Sequence, residues 1–356
     1  MKNQTEKKEA VFLNIGGRKL FGWERVRITR GIERFPGDFD LQLMDYSPAT
    51  DEKQWVKAGE ACEVRIENDP VITGYVDSWN PVINKTQHLI RVSGRGKCQD
   101  LVDCAAQWEN NVIHQANALQ IAEKLAKSYG ITVSTDVDRH HLDMIPQFTL
   151  NWGESSQQIL DRICRWSALL YYEQEDGNLF LTRAGDEVAA SGVAQGVNIE
   201  EADYRESMAE RYSDYIGVSL SVTPLSGGYE FVQNAQAKDP EAKQMRYRNY
   251  LSVIDSNLMS ARREQEAIDW EMNRRYGRAK SLRVVVDSWR DSAGQLWQPN
   301  TLIPIHLPVF GLSDKQWLLS EVIFIRDLSG TRAILTLMPP EAFVVEPYEF
   351  YQTLRV

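Results

Sequence analysis

Over the first hundred residues, apolar side chains recur at every second position. That spacing leaves little choice but strands with one buried face. Phe39, Leu41 and Leu43 alternate with Asp38, Asp40 and Gln42, and Cys62, Val64 and Ile66 alternate with Glu63, Arg65 and Glu67. Ile90 and Val92 alternate with Leu89, Arg91 and Ser93. Pro36-Gly37-Asp38, Asn68-Asp69-Pro70 and Asn84-Lys85 supply turn formers between the runs. Short strands joined by tight turns predict a small β-barrel or sandwich over residues 1–107.

The period then changes. Ala118, Ile121, Ala122, Leu125 and Tyr129 share one helical face, and Gly130 is a natural stop. Ser155 and Gln158 fit an S-x-x-Q capping box, opening a second helix with Ile159, Leu160, Ile163 and Trp166 on its apolar side. Leu169–Tyr172 and Leu179–Thr182 flank Glu175-Asp176-Gly177-Asn178, a hairpin signal. Residues 108–187 are therefore expected to form a small α+β domain, with Gly185–Gly196 read as a linker or loose loop. Residues 188–343 return to strands: Tyr215–Val222 and Tyr229–Gln233 around Ser226-Gly227-Gly228, then Leu282, Val284 and Val286, Val322–Ile325, and Ala333, Leu335 and Leu337. A long helix is inserted over 257–277, where Leu258, Ala261, Ile268, Met272 and Tyr276 make a stripe interrupted by Gln265. Residues 344–356 form a C-terminal tail. The fold class is β-rich α+β and multidomain, as the 356-residue length also requires.

Charge and cysteine usage narrow the function. A net charge of −10 argues against tight nonspecific DNA binding, which needs a positive surface. Cys62, Cys98, Cys104 and Cys164 contain no C-x-x-C pair and read as reduced thiols of a cytosolic protein. No apolar run approaches the ~20 residues that span a bilayer, so no membrane insertion is expected. The basic start of the chain leads into a strand, so no export signal is expected either. Ten Trp and 14 Tyr suit subunit interfaces as well as cores.

No cluster carries convincing catalytic chemistry, and no cofactor or metal is expected. Asp136, Asp138, His140, His141 and Asp143 are the most enzyme-like group, but adjacent histidines lack the i, i+4 spacing of a helical metal site. Cys98 and Cys104 have no partners at zinc-finger spacing and read as buried structural thiols. Gly94-Arg95-Gly96-Lys97 lacks the phosphate-loop pattern and reads as a hairpin-exit turn. Glu154 has no second carboxylate to work with and reads as a capping residue at the helix start. Arg262, Arg263, Arg274, Arg275 and Arg278 are interspersed with Glu264, Glu266, Asp269 and Glu271, as on a solvated, salt-bridged helix.

Four segments, taken together and in order, resemble the baseplate central hub proteins of Mu-like contractile-tail phages. They are Thr73-Gly-Tyr-Val-Asp77 with Ile90 through Cys104; Trp152-Gly-Glu-Ser155 through Leu160 and Arg162 to Tyr171-Tyr172 and Asp176-Gly-Asn-Leu179; Ala267-Ile-Asp-Trp-Glu271 with Asn273-Arg-Arg275; and Trp297-Gln-Pro-Asn300 with Gly330-Thr331, Leu335-Thr-Leu337 and Pro340-Glu-Ala-Phe343. Each is short; their collinearity from about residue 70 to 343 is the specific part. The family is related to the hub part of type VI secretion spikes.

The resemblance implies two tube-type β-barrel domains, 1–107 and 188–343, separated by the α+β domain. It implies a homotrimer in which three chains make a pseudo-sixfold ring. That ring would join the tail tube protein to a trimeric spike protein, contact other baseplate proteins, and leave a channel through which DNA passes without specific binding. The acidic balance would suit such a channel. The expected place is the virion tail baseplate, after assembly in the host cytoplasm. With no lysozyme-like insertion and no glycine-rich β-helix repeat, the spike is expected to be a separate protein. In the tail, Phe350, Tyr351 and Leu354 are costly to leave exposed and are expected at an interface with a neighbour or the spike, although packing against their own domain serves equally. Two other readings stand: a tail protein that binds or degrades cell-wall polysaccharide, motivated by Trp152, Trp289, Trp297 and Trp317, and the hub of a type VI secretion-like injection particle.

Overall fold

The computed structural model describes residues 9–44, 56–83, 85, 88–142, 144–167, 169–222, 229–254 and 261–343. In chain order the first unit contains β1 (Val11–Ile15), β2 (Arg18–Leu20), β3 (Arg25–Gly31), β4 (Asp38–Met44), β5 (Ala61–Ile66), β6 (Asp69–Ile83) and β7 (His88–Gly96). The alternating residues read from sequence become its core: Phe39, Leu41, Val64, Ile66 and Val92 are buried.

A mixed unit follows, with α1 (Gln99–Asp103), β8 (Val112–Ala116), α2 (Ala118–Lys127), β9 (Val133–Thr135), β10 (Ile145–Thr149), α3 (Ser156–Ser167), β11 (Leu170–Glu173) and β12 (Leu179–Thr182). The capping box forms as spelled: Gln158 N–H donates to Ser155 Oγ at 3.3 Å, and Ser155 N–H donates to Gln158 Oε1 at 2.9 Å. Ile159, Leu160 and Ile163 pack against α2 residues such as Ile121 and Leu125, while the Trp166 side chain lies outside the description. β11 and β12 form the antiparallel hairpin expected around Asp176-Gly177.

The rest of the chain contains β13 (Val193–Ala194), β14 (Ile199–Glu206), β15 (Asp214–Val222), β16 (Tyr229–Lys238), β17 (Asn249–Ile254), α4 (Ala261–Arg278), β18 (Lys280–Val286), β19 (Leu302–Leu307), β20 (Leu312–Asp327) and β21 (Gly330–Met338). Leu258 and Ser226-Gly227-Gly228 lie outside the described residues. Ile268 and Met272 of α4 bury against Tyr215, Ala235 and Ala237. The interruption at Gln265 has a physical use. Its side chain accepts from Gln236 N–H at 3.2 Å and donates to Gln236 O at 2.8 Å, fastening α4 to β16.

Residues 185–196 are not a loose linker. They run as a strap along β19, with Val188 bridged to Leu302 and β13 paired parallel to β19. The glycines are there because the strap lies close: a Cβ on Gly185 or Gly192 would meet the carbonyl oxygen of Asn300 or Pro304 at 2.1 and 2.0 Å.

The two β-rich ends of the chain share one 13-stranded sheet, ordered β14-β18-β21-β20-β3-β4-β7-β6-β5-β1-β2, with β19 and β13 branching from β20. The 16-residue β20 makes the join: its first half pairs β19 (Leu318↔Leu302) and its second half pairs β3 (Phe324↔Ile28). One order occurs twice within this sheet. The strands β3, β4, β5, β6 and β7 lie as β3-β4-β7-β6-β5, and β14, β18, β19, β20 and β21 lie as β14-β18-β21-β20-β19. The lengths agree too: 15 and 16 residues for β6 and β20, 9 and 9 for β7 and β21. Each long strand shifts register once against its hairpin partner, at Asp77 and at Ser320. A continuous hydrophobic core backs both halves, running from Leu13 and Val64 through Ile28, Phe39 and Phe324 to Leu282 and Leu335.

Candidate interaction surface

The face of this sheet turned away from the core is defined by register. Arg332, Ile325, Arg27, Asp40, Ser93 and Ser78 stand opposite one another across β21, β20, β3, β4, β7 and β6. Their sequence neighbours Val26, Ile28, Leu41, Val92 and Phe324 point into the core, so this row is polar by alternation. Arginine and carboxylate meet repeatedly on it. Arg27 contacts Asp38 at 2.5 Å, Arg91 forks onto Asp40 with its Nε 2.9 Å from Oδ1, and Arg332 reaches Asp327 at 2.8 Å. Arg95 spans two carboxylates, Asp77 at 2.6 Å and Asp103 at 2.7 Å. These contacts raise the Arg91 and Arg95 guanidinium pKa values and lower that of Asp103. A groove of about 590 Å³ crosses the β20–β3 junction over Arg25, Arg27, Asp40 and Arg91.

Besides the short edge strands β2 and β13, the sheet leaves two longer stretches unpaired on one side among the described residues. β14 pairs only with β18. The outer half of β6, from Ser78 to Ile83, pairs only with β7, because β5 leaves the strand at Tyr75. An unpaired edge presents a row of free backbone donors and acceptors. Here it also carries exposed apolar side chains, Val82 at 40% and Ile83 at 73%.

Between the first β unit and the mixed unit lies Glu173. Its carboxylate accepts from Gly37 N–H at 3.1 Å and Cys98 N–H at 2.7 Å. Burial outweighs these donors and pushes its pKa up to about 7. Gly96 has to be glycine, since a Cβ there would sit 1.7 Å from Glu173 Oε2.

The sequence-proposed clusters resolve into structural roles. Asp138 accepts from His140 N–H at 2.9 Å and Asp136 accepts from the Thr182 hydroxyl at 2.8 Å, while Asp143 and the His141 side chain lie outside the description. No group of three or more metal-ligating side chains forms among the described residues. Gly94-Arg95-Gly96-Lys97 is not a hairpin-exit turn. Gly94 to Gly96 end β7, where a Cβ on Gly94 would strike Phe39. Cys98 is buried as expected, but Cys104 is only partly so. Glu154 closes the turn before α3 by accepting from Asn151 N–H at 3.0 Å and pairs with Arg162 at 2.5 Å, and Ser155 does the capping. The α4 arginines reach beyond their own helix: Arg275 bonds Glu210 and lies over the Tyr250 ring at 4.2 Å, and Arg278 pairs with Glu33. Trp289, Trp297 and Trp317 are buried, leaving Trp152, at 91% exposure, without those rings beside it. Phe350, Tyr351 and Leu354 lie outside the described residues. No helix among the described residues is long and apolar enough to cross a membrane.

Three family models match successive parts of the chain. Residues 10–96 match the N-terminal domain of Mu phage baseplate assembly protein GpP-like, 98–183 the second domain of baseplate hub protein gp44-like, and 260–346 the fourth domain of Mu phage baseplate assembly protein GpP. The chain belongs to the Mu-type phage baseplate hub proteins. It is 29% identical over 355 residues to the baseplate hub protein gp44 of Escherichia phage Mu, covering 94% of this chain and 89% of that protein. The crystal structure of a 43 kDa tail protein of prophage MuSo2 from Shewanella oneidensis has a TM-score of 0.81 at 29% identity, over 95% of this chain and 100% of that one. The fold is shared with an Escherichia coli component of the type VI secretion system, at a TM-score of 0.60 and 9% identity over 94% of this chain and 79% of that one. The Mu relative is a structural baseplate protein, and this chain is a phage tail component of the same kind.

Proposed function

We propose that three copies of the chain close into a pseudo-sixfold ring of tube-type β domains at the centre of a contractile-tail baseplate. The ring joins the sixfold tail tube to a threefold spike, meets other baseplate proteins and leaves a channel for DNA. The observation that carries this reading is the β20–β3 junction. There one five-strand arrangement joins the next edge to edge within a single chain. The same junction can then be repeated between chains. The outer half of β6 takes the place of the second half of β20, and β14 takes the place of β3. A head-to-tail contact that closes forms a ring, and two like units per chain let a threefold part face a sixfold one.

The register follows from the internal junction. Ile323 pairs Thr29 and Ile325 pairs Arg27. Ser78 opposes Ser93 as Glu321 opposes Thr336, and Arg27 opposes Asp40 as Asp203 opposes Arg283. Translating the pairing sets Asn80 of one copy against Arg205 of the next, and Val82 against Asp203. Val82 and Ile83 would lose their exposure in that contact.

The test is a cysteine pair, Asn80→Cys with Arg205→Cys, oxidised in assembled tails. The expected product is a covalent trimer from the double variant and none from either single variant. Assembled tails in which the double variant stays uncrosslinked would overturn this register.

A further inference from the structure

We infer that each copy-to-copy junction is closed by a charge pair, Lys57 of one chain against Glu206 of the next. The inference rests on the ring reading above and names two residues that decide which edges join. It comes from the internal β20–β3 junction, where the same place is held by Arg30 and Gln298, with Arg30 Nη1 donating to Gln298 Oε1 at 3.2 Å.

The two halves repeat each other beyond their strand order. Before β5, Gly59 N–H donates to Val76 O at 2.7 Å and Val76 N–H to Glu60 O at 3.0 Å. Before β19, Asn300 N–H donates to Leu319 O at 2.9 Å and Leu319 N–H to Thr301 O at 2.8 Å. Gly59 and Asn300 are both left-handed, with φ of 87° and 67°. Val56 and Trp297, three residues earlier in each turn, are both buried. Lys57 therefore stands where Gln298 stands. On the other side of the junction, Arg30 lies three residues past Arg27 and Glu206 three past Asp203, the equivalent positions of β3 and β14. The Arg30–Gln298 contact inside the chain thus becomes Glu206–Lys57 between chains, with the longer and shorter side chains trading sides. Opposite charges across an interface set its register and partner more than its affinity. Within its own chain neither side chain is well engaged. Lys57 is exposed, and its ammonium enters no ion pair among the described residues, while the Glu60 carboxylate is held by Lys57 N–H at 3.0 Å. Glu206 accepts from the Tyr204 hydroxyl at 3.2 Å and lies 3.8 Å from Lys280, which stands closer to Glu241, at 3.5 Å. The exchange also fits the place where the copy cannot be exact. A Cβ on Gly31 would come 2.7 Å from Ser320 O, and Ser207 takes the Gly31 position just past β14. The junction between chains has to open there, one residue beyond Glu206, and the long flexible lysine stem spans a gap that glutamine would not.

The experiment reverses the charges in the full-length protein within assembled tails. Lys57→Glu and Glu206→Lys are made singly and together, with Lys127→Glu at an exposed position of α2 as a control. Intact tails are counted by electron microscopy, and circular dichroism verifies folding. The Asn80→Cys with Arg205→Cys pair is carried in parallel to report the register. Each single reversal should cut the yield of tails by at least about fivefold, since the loss recurs at all three junctions, and the double reversal should restore it to within about twofold. The control should assemble as the unchanged protein does. Folded single variants that assemble normally would overturn the inference, as would a loss that the double reversal does not repair. If the cross-link forms all the same, the ring stands without this pair. Repair by the double reversal without the cross-link would keep the pair and overturn the Asn80–Arg205 register.

Discussion

Replacing Glu173 by Gln should change how stability depends on pH. The carboxylate is buried between the first β unit and the mixed unit and accepts two backbone N–H groups, Gly37 and Cys98. Its pKa is raised from 4.5 to about 7 by burial. A carboxyl that holds its proton more tightly when folded makes the folded state bind more protons than the unfolded one between those two values. Stability then falls as pH rises from about 4.5 to about 7 and levels off above. A shift of that size corresponds to about 3 kcal/mol. The Gln variant has no such titration, although it pays a fixed amount for turning an amide N–H₂ toward a backbone donor. The informative quantity is therefore the difference in unfolding free energy between the two proteins, measured by urea titration with tryptophan fluorescence at intervals from pH 4 to 8. All other carboxylates cancel in that difference. It should move by about 3 kcal/mol in favour of Gln across the window. A flat difference would refute the claim that burial dominates at this site.

Two further perturbations test other parts of the molecule. Arg211, 1% exposed, forks onto Asp239 with both bonds at 2.7 Å; Arg211→Met strands a buried carboxylate and should cost about 3–5 kcal/mol by chemical denaturation, whereas Lys238→Met, in an exposed pair, should cost under about 1 kcal/mol. Deleting residues 344–356, which carry Phe350, Tyr351 and Leu354, should weaken trimer formation or spike binding, and unchanged assembly of the truncated chain would refute that role.

How much of this was legible in the sequence depends on how local each signal is. The alternation at Phe39/Leu41 and Cys62/Val64/Ile66 gave β4 and β5, and Ser155 with Gln158 gave the start of α3, because a strand face and a helix cap are each written within a few residues. The junction was not legible. β3 and β20 are almost three hundred residues apart, and nothing in either strand names its partner. Glycine richness over 185–196 suggested looseness, but Gly185 and Gly192 mark a close approach to Asn300 and to Pro304 of β19, a meaning that only the neighbour reveals. Glu173 carries no local signal of its role: it ends the strand Leu-Tyr-Tyr-Glu, one residue past the run read from sequence, and only the packing of Gly37 and Gly96 against it makes it a connector. The arginine–aspartate pairing on the polar face was half visible: Asp40 and Arg91 were recognised as the polar partners of alternating strands, without any sign that they would meet.

The account turns on whether the two like-ordered halves of the sheet act as equivalent sectors of one ring. Averaged electron-microscopic images of the chain assembled with the proposed tail tube and spike partners measure this most directly. The expected image is an annulus around an open centre, built from three chains of 40.8 kDa and showing six similar lobes. An annulus with three lobes, an assembly containing any number of chains other than three, or a closed centre would contradict it.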